Sequence, residues 1–220
     1  MLRFKNDLKH IKKLEGVEDV KINHLPQLYR CDLEFAKAQG NEQLNRILDQ
    51  ISIESSEFKY VSIDTRSHML MTGMYPCIPG WHCDDFYRTE SLGNQPDLEA
   101  VHEYAPAIHY LIVLGDNSRT EFVKHDTVFF DSMREIYRKI GAGEPIYKYI
   151  DQELDKDKFE SVFVEPGHLY SFGPTALHRG SPATHNGWRY FIRVTLSNHR
   201  EPKNEIRYQT QVYTNGRVSW

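Results

Sequence analysis

Cysteine is scarce in this 220-residue chain: there are three, Cys31, Cys77 and Cys83, and no C-x-x-C pair occurs. So sparse and odd a set argues against a disulfide framework and points to a reducing compartment. An excess of positive charge is also missing. Lysine and arginine number 27 against 31 aspartates and glutamates, a formal net charge of −4. There is thus no clear nucleic-acid signature of the kind a phosphate backbone demands. No apolar run approaches the roughly 18 residues that cross a bilayer. The opening MLRFKNDLKHIKKLEG is charged throughout and lacks the apolar core of a signal peptide. The expectation is a soluble, cytoplasmic protein with no membrane partner. Internal repeats and low-complexity tracts are absent too. With 40% apolar and 12% aromatic residues the chain can build a core, and its length fits a single domain over residues 1–220. None of this fixes the oligomeric state.

The texture of the chain changes near Phe58. Residues 1–55 read as a helical lead-in: DLEFAKAQGNEQLNRILDQI places Leu33, Phe35, Ala36, Leu44, Ile47, Leu48 and Ile51 near helical spacing, with Gly40 a weak point. From 56 to 220, short β-prone runs separated by Gly/Pro turns dominate. They are FKYVSID, HMLMTGMY, AIHYLIVLGD, a strand pair in TEFVKHDTVFF, ESVFVEPGHLYSF, GPTALHRG and WRYFIRVTLS. MREIYRKI and IYKYIDQEL mark a helical insertion near 132–156, and Asn215-Gly216 marks a terminal hairpin. The expected class is mainly β with flanking helices, a sandwich or barrel with an N-terminal helical cover.

The stretch PCIPGWHCDDFYR holds the first candidate chemistry. In an extended strand, His82 and Asp84 point to one face and Cys83 to the other. Asp85 rivals Asp84 but would lie on the opposite face. An imidazole and a carboxylate suit a divalent metal, and two imidazoles with one carboxylate suit non-haem Fe(II). H-x-D alone is a weak signal. His178 in FGPTALHRGSP is the candidate third ligand, 94 residues beyond Asp84; a surface histidine on a turn is the plainer reading. In WRYFIRVTLS, alternation sets Arg189, Phe191, Arg193 and Thr195 on one face and Tyr190, Ile192, Val194 and Leu196 on the other. Those arginines either face water from a half-exposed sheet or face a lumen, where each needs an anion. A dicarboxylic co-substrate would supply one. His109 reads as a satisfied core histidine, and His68 and His168 as structural or exposed residues near strand ends. Trp81 and Tyr87 flank the ligands and line a substrate pocket or simply pack.

His82-x-Asp84, the distant His178, the Pro-Gly turn and strand of EPGHLYSFGPTALHRG, and Arg189 eleven residues beyond His178 together resemble the Fe(II)/2-oxoglutarate-dependent dioxygenase superfamily. The resemblance covers roughly residues 68–198 and names no subfamily. It implies a double-stranded β-helix, or jelly-roll, core. It implies His82, Asp84 and His178 as iron ligands and catalytic residues, and Arg189 as the clamp on the distal 2-oxoglutarate carboxylate. Arg193 would help hold the co-substrate or meet an acidic substrate; Thr120, Tyr110 and Tyr170 are open alternatives for the residue that assists Arg189. The implied reaction consumes O2, decarboxylates 2-oxoglutarate to succinate and hydroxylates a small-molecule or peptide substrate. Two other readings stand beside it: a cupin-like jelly roll using the triad for another metal-assisted reaction, and a non-catalytic jelly-roll binding module. The acidic segment 85–106 carries Asp85, Glu90, Asp97, Glu99 and Glu103 against Arg88. It reads either as a lid over the iron whose charge favours a neutral or cationic substrate over a phosphorylated one, or as a solvated surface loop whose acidity carries no meaning.

Overall fold

The computed structural model describes residues 1–53, 57–84, 96–100, 106–141, 144–157 and 159–214. The hairpin expected at Asn215-Gly216 lies outside them. The chain is mostly β with flanking helices. The strands are β1 (Leu2–Lys5), β2 (Lys9–Lys13), β3 (Leu28–Tyr29), β4 (Tyr60–Leu70), β5 (Ala107–Leu114), β6 (Thr120–Val123), β7 (Thr127–Phe130), β8 (Ser161–Phe163), β9 (His168–Phe172), β10 (His178–Gly180), β11 (Gly187–Ser197) and β12 (Glu205–Ile206). The helices are α1 (Leu33–Gln39), α2 (Glu42–Asp49), α3 (Met133–Ile140) and α4 (Ile146–Asp157). No helix among the described residues is long and apolar enough to cross a membrane.

The main sheet has the antiparallel order β2-β9-β5-β11-β4, and a smaller one runs β10-β6-β8. Leu111 and Val113 of β5, Phe172 of β9 and Phe122 of β6 form one buried cluster, so the two sheets face each other. Phe122 meets Phe172 edge-on with ring centroids 5.0 Å apart. The alternation read in β11 holds. Tyr190, Ile192, Val194 and Leu196 pack with Ala36, Leu44, Ile47 and Leu48 of α1 and α2, whereas Arg189 and Arg193 are buried on the other face. The water-facing reading of these arginines is therefore set aside. A second core lies beneath α3 and α4, where Ile136, Ile146 and Ile150 meet Phe4, Trp81 and Leu177.

The helical reading of residues 1–55 holds only for its later part. The Asp32 side chain accepts from Phe35 N at 2.7 Å and starts α1; Asn41 accepts from Leu44 N at 2.9 Å and starts α2 after the break at Gly40. Each such cap contributes about 1 kcal/mol. Residues 2–5 and 9–13 are instead strands. KHIKK has one aliphatic residue in five and no helical stripe; it joins β9 through its backbone, with a bulge between His10 and Lys12. Lysines along an edge strand discourage further pairing. TEFVKHDTVFF yields the two expected strands, but they do not pair with each other: β6 lies between β10 and β8, and β7 pairs with β1. FKYVSID and HMLMTGMY contribute to one strand, β4, which pairs with β11 along its whole length. At the end of β5, Gly115 has φ +87°, and an added Cβ would come within 2.2 Å of the Trp188 carbonyl oxygen. Only glycine fits there.

Candidate metal centre

His82 and His178 arrive from separate elements and are joined by backbone. Each donates its amide to the other's carbonyl at 3.0 Å, a bridge that adds the segment around His82 to the edge of β10. Alternation then sorts the side chains, with Trp81 and Cys83 entering the core under α3 and α4 while His82 and Asp84 turn inward. One ligand atom from each of His82, Asp84 and His178 lies within 4.8 Å of the others. The His82 Nδ1 lies 2.9 Å from the Gly80 carbonyl, and the His178 Nδ1 lies 2.9 Å from the Ala176 carbonyl. Since a carbonyl only accepts, both Nδ1 atoms carry protons, which fixes both rings with Nε2 turned toward the site. The His178 Nε2 is 3.2 Å from Asp84 Oδ2. Two imidazoles and a carboxylate converging on one point are the donor set that suits Fe(II).

Electrostatics act on two of the donors, Asp84 and His82. Burial alone would raise the Asp84 carboxyl pKa, but Arg193 and then His178 overrule it and hold it well below the usual range. Burial, followed by repulsion from His178, depresses His82 to about 4. Arg193 forms ion pairs with both Asp84 and Asp64. Arg193, expected to help hold the co-substrate or to meet an acidic substrate, lines the cavity and here pairs with these two carboxylates.

Arg189 lies in a cavity of about 70 Å³ whose walls also include His82, Asp84, His178 and His68. Its Nε donates to the Ser118 carbonyl at 3.0 Å and its Nη2 to Thr120 Oγ1 at 3.1 Å. No carboxylate among the described residues pairs with it. Burial lowers its pKa to about 10, so it stays charged at neutral pH. A buried guanidinium without an anion is costly, and the cavity gives an anion room to meet it.

The alternatives left open beside Arg189 now separate. Thr120 touches it. Tyr110 instead packs on the helix-covered face of the main sheet. Tyr170 lies in the cluster between the sheets, its hydroxyl accepting from Glu165 N at 3.1 Å; neither tyrosine lines the cavity. His109 donates to or accepts from Thr195 Oγ1 at 3.0 Å, and His168 pairs with His10 at 2.9 Å. His68, expected to be structural or exposed near a strand end, is buried against Arg189. Its ring nitrogens complete no hydrogen bond, although the Pro76 carbonyl lies near enough to favour the protonated form. Asp85 and Tyr87 lie outside the described residues, as do 85–95 and 101–105 of the expected lid. Asp97 and Glu99 are described and turn elsewhere, Asp97 to the amides of Glu99 and Ala100, Glu99 to Met133 N at the start of α3.

Arg66 was not singled out in the sequence, yet it lines this cavity and a larger one of about 530 Å³ that also reaches His82 and Asp84. The signal was there to be read: in IDTRSH, Asp64, Arg66 and His68 fall at alternate positions and so on one face of a strand.

No protein-family model and no curated protein matches the chain. Among solved structures it is similar to HygX from Streptomyces hygroscopicus with iron bound, at 14% identity and a TM-score of 0.43 over 89% of this chain and 83% of that one. It is similar to AviO1 from Streptomyces viridochromogenes Tue57, at 14% identity and 0.39 over 88% and 75%. An N-substituted L-amino acid dioxygenase from Burkholderia ambifaria AMMD is matched at 15% identity and 0.36, over 61% of this chain and 49% of that one. The chain thus spans about half the length of that dioxygenase. TM-scores below 0.5 at such identities decide neither the fold nor the reaction.

Proposed function

We propose that this protein is a non-haem Fe(II)/2-oxoglutarate-dependent oxygenase on a double-stranded β-helix core, hydroxylating a small molecule or peptide. One observation carries the reading: the His82–Asp84–His178 cluster shares one cavity with the buried Arg189, which has no carboxylate partner among the described residues. His82, Asp84 and His178 would hold the iron, which when bound supplies activation of O2 coupled to oxidation of 2-oxoglutarate. Arg189, fixed by Ser118 and Thr120, would hold the distal carboxylate of 2-oxoglutarate and orient its keto acid end toward the metal ligands. Arg193 keeps Asp84 ionised and in place. The packed aromatic wall of Phe122 and Phe172 behind His178, with ring centroids 5.1 and 5.3 Å from it, excludes water from that side.

The test is succinate formation from 2-oxoglutarate by the full chain under air. It should require Fe(II) and be abolished in Asp84→Ala. Turnover with no need for iron, or undiminished in that variant, would refute the reading.

A further inference from the structure

We propose that the larger cavity receives a substrate bearing an anionic group, a carboxylate or a phosphate monoester, and that Arg66 is the residue that binds it. The inference rests on the oxygenase reading, because it takes the cavity beside His82 and Asp84 as the place where substrate sits.

Charge balance is the first ground. Among the described residues lining the larger cavity, the charged side chains besides the metal-site carboxylate are Arg66 and Arg207. Asp84 is engaged by Arg193 and His178. The nearest other carboxylate, Asp64, already accepts from Arg193 at 3.3 Å, Arg200 at 2.9 Å and Arg207 at 3.4 Å. Arg66 shares the field of Asp64 but closes no ion pair with it or with another carboxylate among the described residues, and its Nε is buried without a hydrogen bond. The co-substrate does not answer this need. Its two carboxylates would be taken up by Arg189 and the metal, which leaves Arg66, on the wall of both cavities, without an anion from that source.

Position is the second ground. Arg66 sits on β4 between Asp64 and His68, opposite Phe191 of β11. It lines both cavities, so an anion on it would be anchored beside the ligands and would direct the rest of the substrate past the metal. Arg207 adds positive field from a fixed position, stacked over Tyr29 at 4.3 Å and donating to the Leu28 carbonyl at 3.3 Å. Gln209 and Gln211 line the same wall and offer neutral amides. An anionic substrate stands against the neutral or cationic one expected from the acidity of residues 85–106; the two acidic residues of that segment that are described, Asp97 and Glu99, do not line the cavity.

Titration calorimetry on the full chain, loaded with Mn(II) and saturating 2-oxoglutarate, tests this with matched pairs. The N-acetylated common amino acids are compared with their primary amides, and phenyl phosphate with phenol. At least one acid should bind about tenfold or more tightly than its neutral mate, the order expected of a charge-assisted hydrogen bond. The pair that responds distinguishes a carboxylate from a phosphate. Arg66→Gln should abolish the preference and Arg66→Lys should retain most of it. Equal affinity within every pair, no binding by any member, or a preference surviving in Arg66→Gln would each overturn the proposal. Failure to take up Mn(II) or 2-oxoglutarate would count against the proposed function instead. The same pairs titrated into metal-free protein would then still decide the anion site.

Discussion

Arg193 and Asp64 are direct partners across the β11–β4 ladder, and their side chains close an ion pair of 3.3 Å in the buried interior. Asp64 is 1% exposed and serves Arg193, Arg200 and Arg207 at once. Burial opposes its ionisation, yet the guanidiniums prevail and hold its pKa below the usual range. Asp64→Asn should cost about 3–5 kcal/mol of stability, because the arginines stay buried without their counter-charge. Urea unfolding measures it, and a loss under about 1 kcal/mol would show the pair to be dispensable. Mn(II) affinity should fall too, since Arg193 holds Asp84.

Arg189→Leu should weaken 2-oxoglutarate binding by about 2–5 kcal/mol while leaving Mn(II) binding nearly intact. Thr120→Val removes one hydrogen bond to the guanidinium and should cost about 1 kcal/mol of the same affinity. Calorimetry with each variant checks both. Unchanged 2-oxoglutarate affinity in Arg189→Leu would place the clamp elsewhere.

The contrast between Arg189 and Arg193 shows how far the sequence could be read. Period-2 alternation put both on one face of β11, and that held because strand geometry alone decides it; whether that face turned inward was not in the alternation. Which of the two is free and which is paired depended on Asp64 and Asp84, which long-range pairing brings into place. Tyr110 could not be oriented, because AIHYLIVL is apolar on both faces and such a run gives no sidedness. The strands at residues 2–5 and 9–13 were hidden for the opposite reason. They owe their conformation to backbone partners far along the chain, β7 and β9. The triad spacing was legible; the Arg66 and His68 side of the cavity had its own alternation in IDTRSH but no motif to draw attention to it.

His68 gives the site a pH signature in stability. Burial, then the charges of Arg189 and Arg66, lower its pKa from 6.5 to about 3. Between those values the unfolded chain takes up a proton that the native state refuses, so stability falls as pH drops below about 6.5. His68→Asn removes this contribution. From about pH 7.5 to about pH 5, unfolding free energy should fall by up to roughly 2 kcal/mol more in the wild type than in the variant. Parallel pH profiles would mean that His68 titrates normally.

Gly180 closes the far end of the strand that carries His178. A Cβ there would lie 2.8 Å from Cys77 Sγ and 2.9 Å from Pro76 Cγ, and Pro76 and Cys77 line both cavities. Gly180→Ala should therefore push β10 off the segment 76–77 and cost about 1–3 kcal/mol of stability. Because β10 also carries the bridge between His178 and His82, Mn(II) affinity should fall with it. Retention of both quantities would show that the Pro76–Cys77 turn yields without disturbing the ligands.

Metal removal tests the convergence itself. The three donors come from two segments 94 residues apart, held by one backbone bridge and a 3.2 Å contact between His178 and Asp84. An ion bound there ties the two segments together and favours only the folded state. Mn(II) at a hundredfold excess over its dissociation constant should add about 2.7 kcal/mol to the unfolding free energy, and chelation by EDTA should remove that gain. His178→Ala should abolish the increment, whereas His168→Ala, paired with His10 of β2 and outside the ligand cluster, should leave it unchanged. A gain that persists without His178 would mean that the ion binds at another place, and the convergence of His82, Asp84 and His178 would then be packing rather than a metal centre.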